Sequence, residues 1–83
     1  MENSDYEETI KKELYDIERN YTTGDVARIC KVSMTTARKW FNVGIIKGFR
    51  VPESRYVRIP NKNLINFMEE HKIPLNFLRD YIS

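Results

Sequence analysis

Two short amphipathic stretches, separated by three residues and closed by a glycine, constrain this chain more than anything else in it. Thr22 or Thr23 can cap a first helix, with Asp25 near its positive end, and that helix runs to about Cys30. Lys31-Val32-Ser33 leaves room only for a tight turn, in which Val32 plugs between the helices and Ser33 caps the second. In the second stretch Met34, Ala37, Trp40 and Phe41 recur at i, i+3, i+6 and i+7 and share one face. Thr35, Thr36, Arg38, Lys39 and Asn42 fall on the remaining surface. Gly44 then supplies a left-handed stop. The expectation is two short helices at a fixed angle, the second with an apolar back and a cationic front.

Beyond Gly44, the runs Ile45–Val51 and Arg55–Ile59 are β-prone and are separated by the turn cluster Pro52-Glu53-Ser54, so a two-stranded hairpin is expected. Tyr56, Arg58 and Pro60 alternate with Val57 and Ile59, which lets one face rest on a core while Tyr56 and Arg58 are displayed. The whole chain carries +2. Between Tyr21 and Pro60, eight bases (Arg28, Lys31, Arg38, Lys39, Lys47, Arg50, Arg55, Arg58) face two acids (Asp25, Glu53), a net of +6. Three arginines on so short a hairpin repel one another unless they are solvated or neutralised by an anion, and phosphate is the natural counter-charge. A cationic helix of this kind can enter a major groove with Thr and Arg toward base edges. Many surface helices carry cations opposite a core stripe, so the helix alone leaves a solvated face open as a reading. The basic hairpin beside it points to duplex DNA.

The flanks differ in charge. Residues 1–20 hold seven acids and three bases, a net of −4. Ser4 and Glu7 fit a capping box, and Tyr6, Ile10, Leu14 and Ile17 make one stripe, so an amphipathic helix is expected from about Asp5 to Arg19. It either packs on the domain or on another chain, or stays a solvated lead-in, and its charge should hold it away from phosphate. Asn61 can cap a helix from Lys62 to His71 with Leu64, Phe67, Met68 and His71 in line, where His71 is a helix-end residue. After Pro74, Leu75, Leu78 and Tyr81 or Ile82 form a stripe too short to be helical unless it docks, with Phe77 elsewhere on it. Aromatic residues near both ends leave self-association open beside core packing.

Eighty-three residues, 41% of them hydrophobic, make one small folded domain. No apolar run approaches the roughly 18 residues of a membrane span, and the acidic MENSDYEE is unlike a signal peptide, so a cytoplasmic protein is expected, nucleoid-associated if bacterial. The sequon Asn20-Tyr21-Thr22 then has no consequence. Cys30 stands alone among Val26, Ile29 and Val32 and reads as a small buried residue in a reducing compartment. One histidine, no metal-spaced Cys/His set, no Gly-rich phosphate loop and no nucleophile motif argue against an enzyme, a metal, a cofactor or a small-molecule substrate.

Taken in order, Tyr21-Thr22-Thr23-Gly24-Asp25-Val26-Ala27, Val32-Ser33, Thr36-Ala37-Arg38-Lys39-Trp40, Gly44-Ile45-Ile46 and Tyr56-Val57-Arg58-Ile59-Pro60 resemble the excisionase-like and MerR-type winged helix-turn-helix domains, over about residues 21–73. The resemblance implies a recognition helix in the major groove, a wing on the backbone or minor groove, and a role in transcription or recombination control. Carried over by position, Thr36, Arg38 and Lys39 look like recognition-helix contacts, beside Thr35 and Asn42 on the same surface. Arg58 and Tyr56 belong to the wing side, with Arg50 and Arg55 as further wing residues. The long C-terminal coiled coil and effector domain of MerR regulators have no counterpart in these residues, which makes the excisionase-like branch the closer one.

The expected architecture is mainly α with a small two-stranded β-hairpin, a winged helix-turn-helix. It is divided into an acidic helix (1–20), the winged domain (21–73) and a short C-terminal helix (74–83). The expected function is sequence-specific binding of double-stranded DNA in transcriptional regulation, by dimers, neighbouring copies or a domain tethered to another. The alternative is an adaptor that presents the basic face to an acidic protein. RNA is a third reading, weakened because the aromatic residues lie on core faces.

Overall fold

The computed structural model describes residues 2–83, with side chains from Tyr6 onward. Five helices and three short strands follow in the order α1 (Glu2–Leu14), β1 (Asn20–Tyr21), α2 (Thr23–Cys30), α3 (Met34–Asn42), β2 (Phe49–Arg50), β3 (Val57–Pro60), α4 (Asn61–Glu70) and α5 (Asn76–Ile82). The winged helix-turn-helix architecture is therefore present, with a sheet of three strands where the sequence suggested two.

The third strand comes from the far side of the chain. β3 is central and pairs antiparallel with both neighbours, Tyr21 facing Ile59 in β1 and Phe49 facing Arg58 in β2. The wing strands are shorter than their β-prone runs because Ile45 and Ile46 are spent on stopping α3. Their N–H groups donate to the Trp40 carbonyl at 2.9 and 3.2 Å, and Ile46 turns into the core. Val57 and Ile59 face inward as the alternation requires.

Asn61 is not a helix cap. Pro60 holds the cap position without any side-chain bond, and Asn61 is the first residue of α4, its amide 3% exposed. Its Nδ2 donates to the Leu14 carbonyl at 2.8 Å and more weakly to that of Tyr15, while its Oδ1 accepts from the Tyr21 hydroxyl at 2.9 Å. The backbone N–H of Asn61 donates to Arg19. This fixes the end of α1. The last carbonyl of that helix is taken by a side chain 47 residues away, and the helix stops at Leu14 rather than Arg19. Ile10 and Leu14 are buried, whereas Ile17 lies past the helix end and is exposed with Tyr6. The Ser4–Glu7 capping box lies outside the described side chains.

The core gathers Tyr21, Val26, Ile29, Ala37, Ile59, Leu64, Ile65 and Met68, closed by Leu75, which caps α5, and by Leu78 within that helix, which packs on α1 and α2. Full burial of each large apolar side chain contributes about 1.5–3 kcal/mol. Met34, expected on the inner face, is 41% exposed and lies beside Gly24 at the start of α2, on the edge of a surface cleft. His71 ends α4 as expected, exposed, its ring 4.7 Å from Phe67. Among the described residues every buried side-chain nitrogen and oxygen has a partner, and no helix is long and apolar enough to cross a membrane.

Two outcomes follow for stability. Asn61→Ala strands a buried hydroxyl and the end of α1, and is expected to cost about 3 kcal/mol in urea unfolding, against about 1 kcal/mol for Tyr21→Phe. Burial pushes the Cys30 thiol up to about 11, so at pH 8 a disulfide reagent is expected to modify it only at the rate of unfolding. Labelling of the native protein at the rate of a free thiol would contradict that burial.

Candidate nucleic-acid interface

The interface begins with two helix caps. The Thr22 Oγ1 accepts the Asp25 N–H at 3.0 Å while Asp25 Oδ2 accepts the Thr22 N–H at 2.9 Å, a reciprocal capping box that starts α2. Lys31 takes the left-handed conformation at φ 60° and, with Val32, returns its N–H to Ala27. Ser33 caps α3 by accepting the Thr36 N–H at 3.1 Å, and its own hydroxyl donates to Thr36 Oγ1. Ala37, wholly buried, lets α2 and α3 approach closely, and Trp40 packs its ring on Phe67 with centroids 5.0 Å apart. These contacts fix which side of α3 faces out.

At roughly 100° per residue, that outer side carries Thr35, Arg38, Lys39 and Asn42, all exposed. Thr36 lies at the edge, half-buried, its hydroxyl engaged by Ser33. Gly44, at φ +83°, ends the helix in a conformation that a Cβ would strain. Gly48 is needed for a different reason. A Cβ there would sit 2.6 Å from the Arg58 carbonyl oxygen, so only glycine lets the chain pass against β3 and open the wing. The wing tip turns through Glu53 at φ 61°, closed by the Ser54 N–H on Val51 and by the Val51 N–H on Tyr56.

Between the start of α2, the length of α3 and the wing lies a cleft of about 500 Å³. Arg28, Arg38, Arg50 and Arg55 line it, with Asn42, Tyr56 and Met34, and none of its lining residues is acidic. Four guanidinium groups line one cleft, one of them, Arg28, within ion-pair distance of the Asp25 carboxylate at 3.9 Å, and together they make an anion-attracting surface. Arg50 stays extended over the Phe41 ring at 5.4 Å, and Arg58 lies over the exposed Tyr56 ring at 5.8 Å. A larger and more open depression, about 810 Å³ along residues 16–20 and 60–63, mixes Asp16 and Glu18 with Arg19 and Lys62 and converges on nothing.

Residues 21–72 match the family model of the helix-turn-helix domain. The chain belongs to that family. The model is that of excisionase-like domains, so the matched span and its branch agree with the resemblance read from the sequence, and the family suggests DNA as partner. Neither a curated protein nor a solved structure matches the chain.

Within this helix-turn-helix domain, the cleft brings together Arg38, Asn42, Arg50, Arg55 and Tyr56 of the residues singled out from sequence. Thr35 and Lys39 lie on the outer side of α3 rather than in the cleft, and Arg58 flanks it beside Tyr56. Arg28 and Met34 join the cleft without having been singled out. Arg28 could be read only as outward-facing, because its approach to the wing depends on the angle between α2 and α3. Asp25, one turn before it, is held by the fold. Burial alone would raise its carboxyl, but hydrogen bonds from the Tyr81 hydroxyl and from Thr22 outweigh burial and hold it below the usual carboxylate value. The same bond to Asp25, aided by burial, pushes the Tyr81 phenol up. No residue of α1 lines the cleft.

Gly48→Ala tests the wing. The new methyl must displace the β3 backbone, so a loss of about 1–3 kcal/mol is expected, together with loss of the Phe49–Arg58 pairing in amide-exchange measurements. Unchanged protection of the wing amides would contradict the close approach.

Proposed function

We propose that the protein reads duplex DNA with α3 in the major groove and lays its wing on the adjacent backbone or minor groove, in the service of transcriptional control. One observation carries this: four arginines and no acidic residue line a single cleft between the recognition helix and the wing. Size supports it as well. The nine residues of α3 form a cylinder about 14 Å long and 10–12 Å wide, which suits a major groove about 12 Å wide. Arg38, with Thr35, Lys39 and Asn42, is assigned to base edges and nearby phosphates. Arg50, Arg55, Arg58 and Tyr56 are assigned to the backbone on the wing side, and Thr36 to orienting the start of α3 through its cap. The same docking would serve a kinship with MerR-type regulators. A footprint this small gains affinity from neighbouring copies on repeated sites, from self-association, or from tethering to a further domain.

Selection from random duplexes over a salt series, followed by sequencing, is expected to return a motif with a log-log salt slope of about −4 to −6. Arg38→Ala is expected to flatten the preference among sequences, and Arg58→Ala to weaken binding to all of them by a similar factor, each measured by fluorescence anisotropy. Salt-dependent binding without a motif would mean an architectural role. No binding at low salt would transfer the basic face to an acidic protein partner.

A further inference from the structure

One large aliphatic side chain lies open in the cationic cleft. Met34 is the first residue of α3, directly after the Ser33 cap, and is 41% exposed. It lines the cleft together with Arg38 and Asn42. Gly24 at the start of α2 leaves it room, since a Cβ there would stand 3.3 Å from the Met34 terminal methyl. The side chain therefore lies along α2 with the rest of its surface turned to the cleft.

Its place along α3 is as informative as its exposure. Met34, Arg38 and Asn42 are successive residues at a spacing of four, so at roughly 100° per residue they form one slanting row, and all three line the cleft. Thr35 and Lys39, also exposed, make the neighbouring row and do not line it. The base edges of a major groove offer a counterpart to each member of the cleft row. Guanine presents two acceptors to an arginine, adenine an acceptor and a donor to an asparagine, and thymine a methyl group. Met34 has no hydrogen bond to give, and its flexible thioether chain suits an apolar contact. The first residues of a recognition helix are also those that reach base edges.

We propose that Met34 is a specificity-determining residue that packs on the 5-methyl group of a thymine, at the head of the row that Arg38 and Asn42 continue. This rests on the DNA reading and deepens it, adding to the base-reading set a side chain that acts by apolar contact alone. Residues four apart on a helix stand about 6 Å apart along its axis, and successive base pairs about 3.4 Å. The thymine is therefore placed roughly one to three base pairs from the base that Arg38 reads.

The test uses the full chain and a fluorescein-labelled duplex carrying the selected motif, in which each thymine in turn is replaced by uracil. That change removes the 5-methyl group and leaves the pairing edge intact. Anisotropy is read over a salt series, and thermal melts are recorded for each variant. One replacement, near the position whose preference Arg38→Ala flattens, is expected to raise Kd about fourfold, the effect of one buried methyl group, and to change nothing in the Met34→Ala background. Met34→Ala is expected to weaken binding to the thymine duplex by at least that factor with the salt slope unchanged, because no phosphate contact is lost. Met34→Leu is expected to keep the discrimination between thymine and uracil, and Met34→Gln, of similar length, to lose it, which separates the apolar contact from any disturbance of the helix start. An equal uracil effect with and without Met34, no thymine at which uracil is felt, or salt-dependent binding without a motif overturns the proposal while leaving DNA binding intact. A parent chain that binds no duplex at low salt overturns the DNA reading and this proposal with it.

Discussion

A single buried amide ties the fold together. Asn61 accepts from Tyr21, donates to the end of α1, and through its backbone holds the loop at Arg19. These contacts join the acidic helix, the edge strand β1 and the beginning of α4 at one point in the core. Each group would cost on the order of 1–3 kcal/mol if left unpaired there. An apolar residue of similar size could fill the space but could not stop α1 at Leu14 or bring β1 beside β3. The polar knot therefore sets topology more than it adds stability.

From that frame the presentation of α3 follows by short local steps. The Ser33 cap fixes where the helix begins, and Ala37 and Trp40 fix its rotation. Gly44 fixes where it ends, and Ile46 anchors the exit in the core. Gly48 then allows the wing to pass within touching distance of β3. Nothing in the sequence from Ser33 to Gly48 is long enough to tolerate slippage. The cleft arginines consequently come from α2, α3 and the wing, whose relative positions are set by core packing.

Charge is separated along the molecule to match. The bases gather around the cleft, while the acidic α1 is held elsewhere: Lys11 pairs with Glu69 at 3.0 Å, Glu7 accepts the Leu75 N–H, and Arg79 bridges Tyr6 and Glu13. Surface pairs like these add little stability singly. Their effect is one of placement, since an acidic helix beside the cleft would lower its attraction for phosphate. The stripe of Ile10 and Leu14 accomplishes the docking, so of the roles open to this helix the fold takes packing on the domain.

The sequence by itself determined the elements whose cause is local. Caps at Thr22 and Ser33, the three-residue turn, the stop at Gly44 and the inward faces of Val57 and Ile59 all follow from residue chemistry within a few positions, and the matched span 21–72 agrees with the stretch that carried the resemblance. Most of the candidate interface was legible too, because a cationic face opposite an apolar stripe is periodic. What required the tertiary structure has distant partners. β1 is two residues long and has no periodicity of its own, so only Ile59 and Pro60 across the sheet define it. Asn61 has the chemistry of a cap, and nothing nearby says that its amide instead crosses 47 residues to Leu14. Met34 and Arg28 enter the cleft because of the angle between two helices and the reach of the wing. Those are properties of packing, which short-range patterns do not encode.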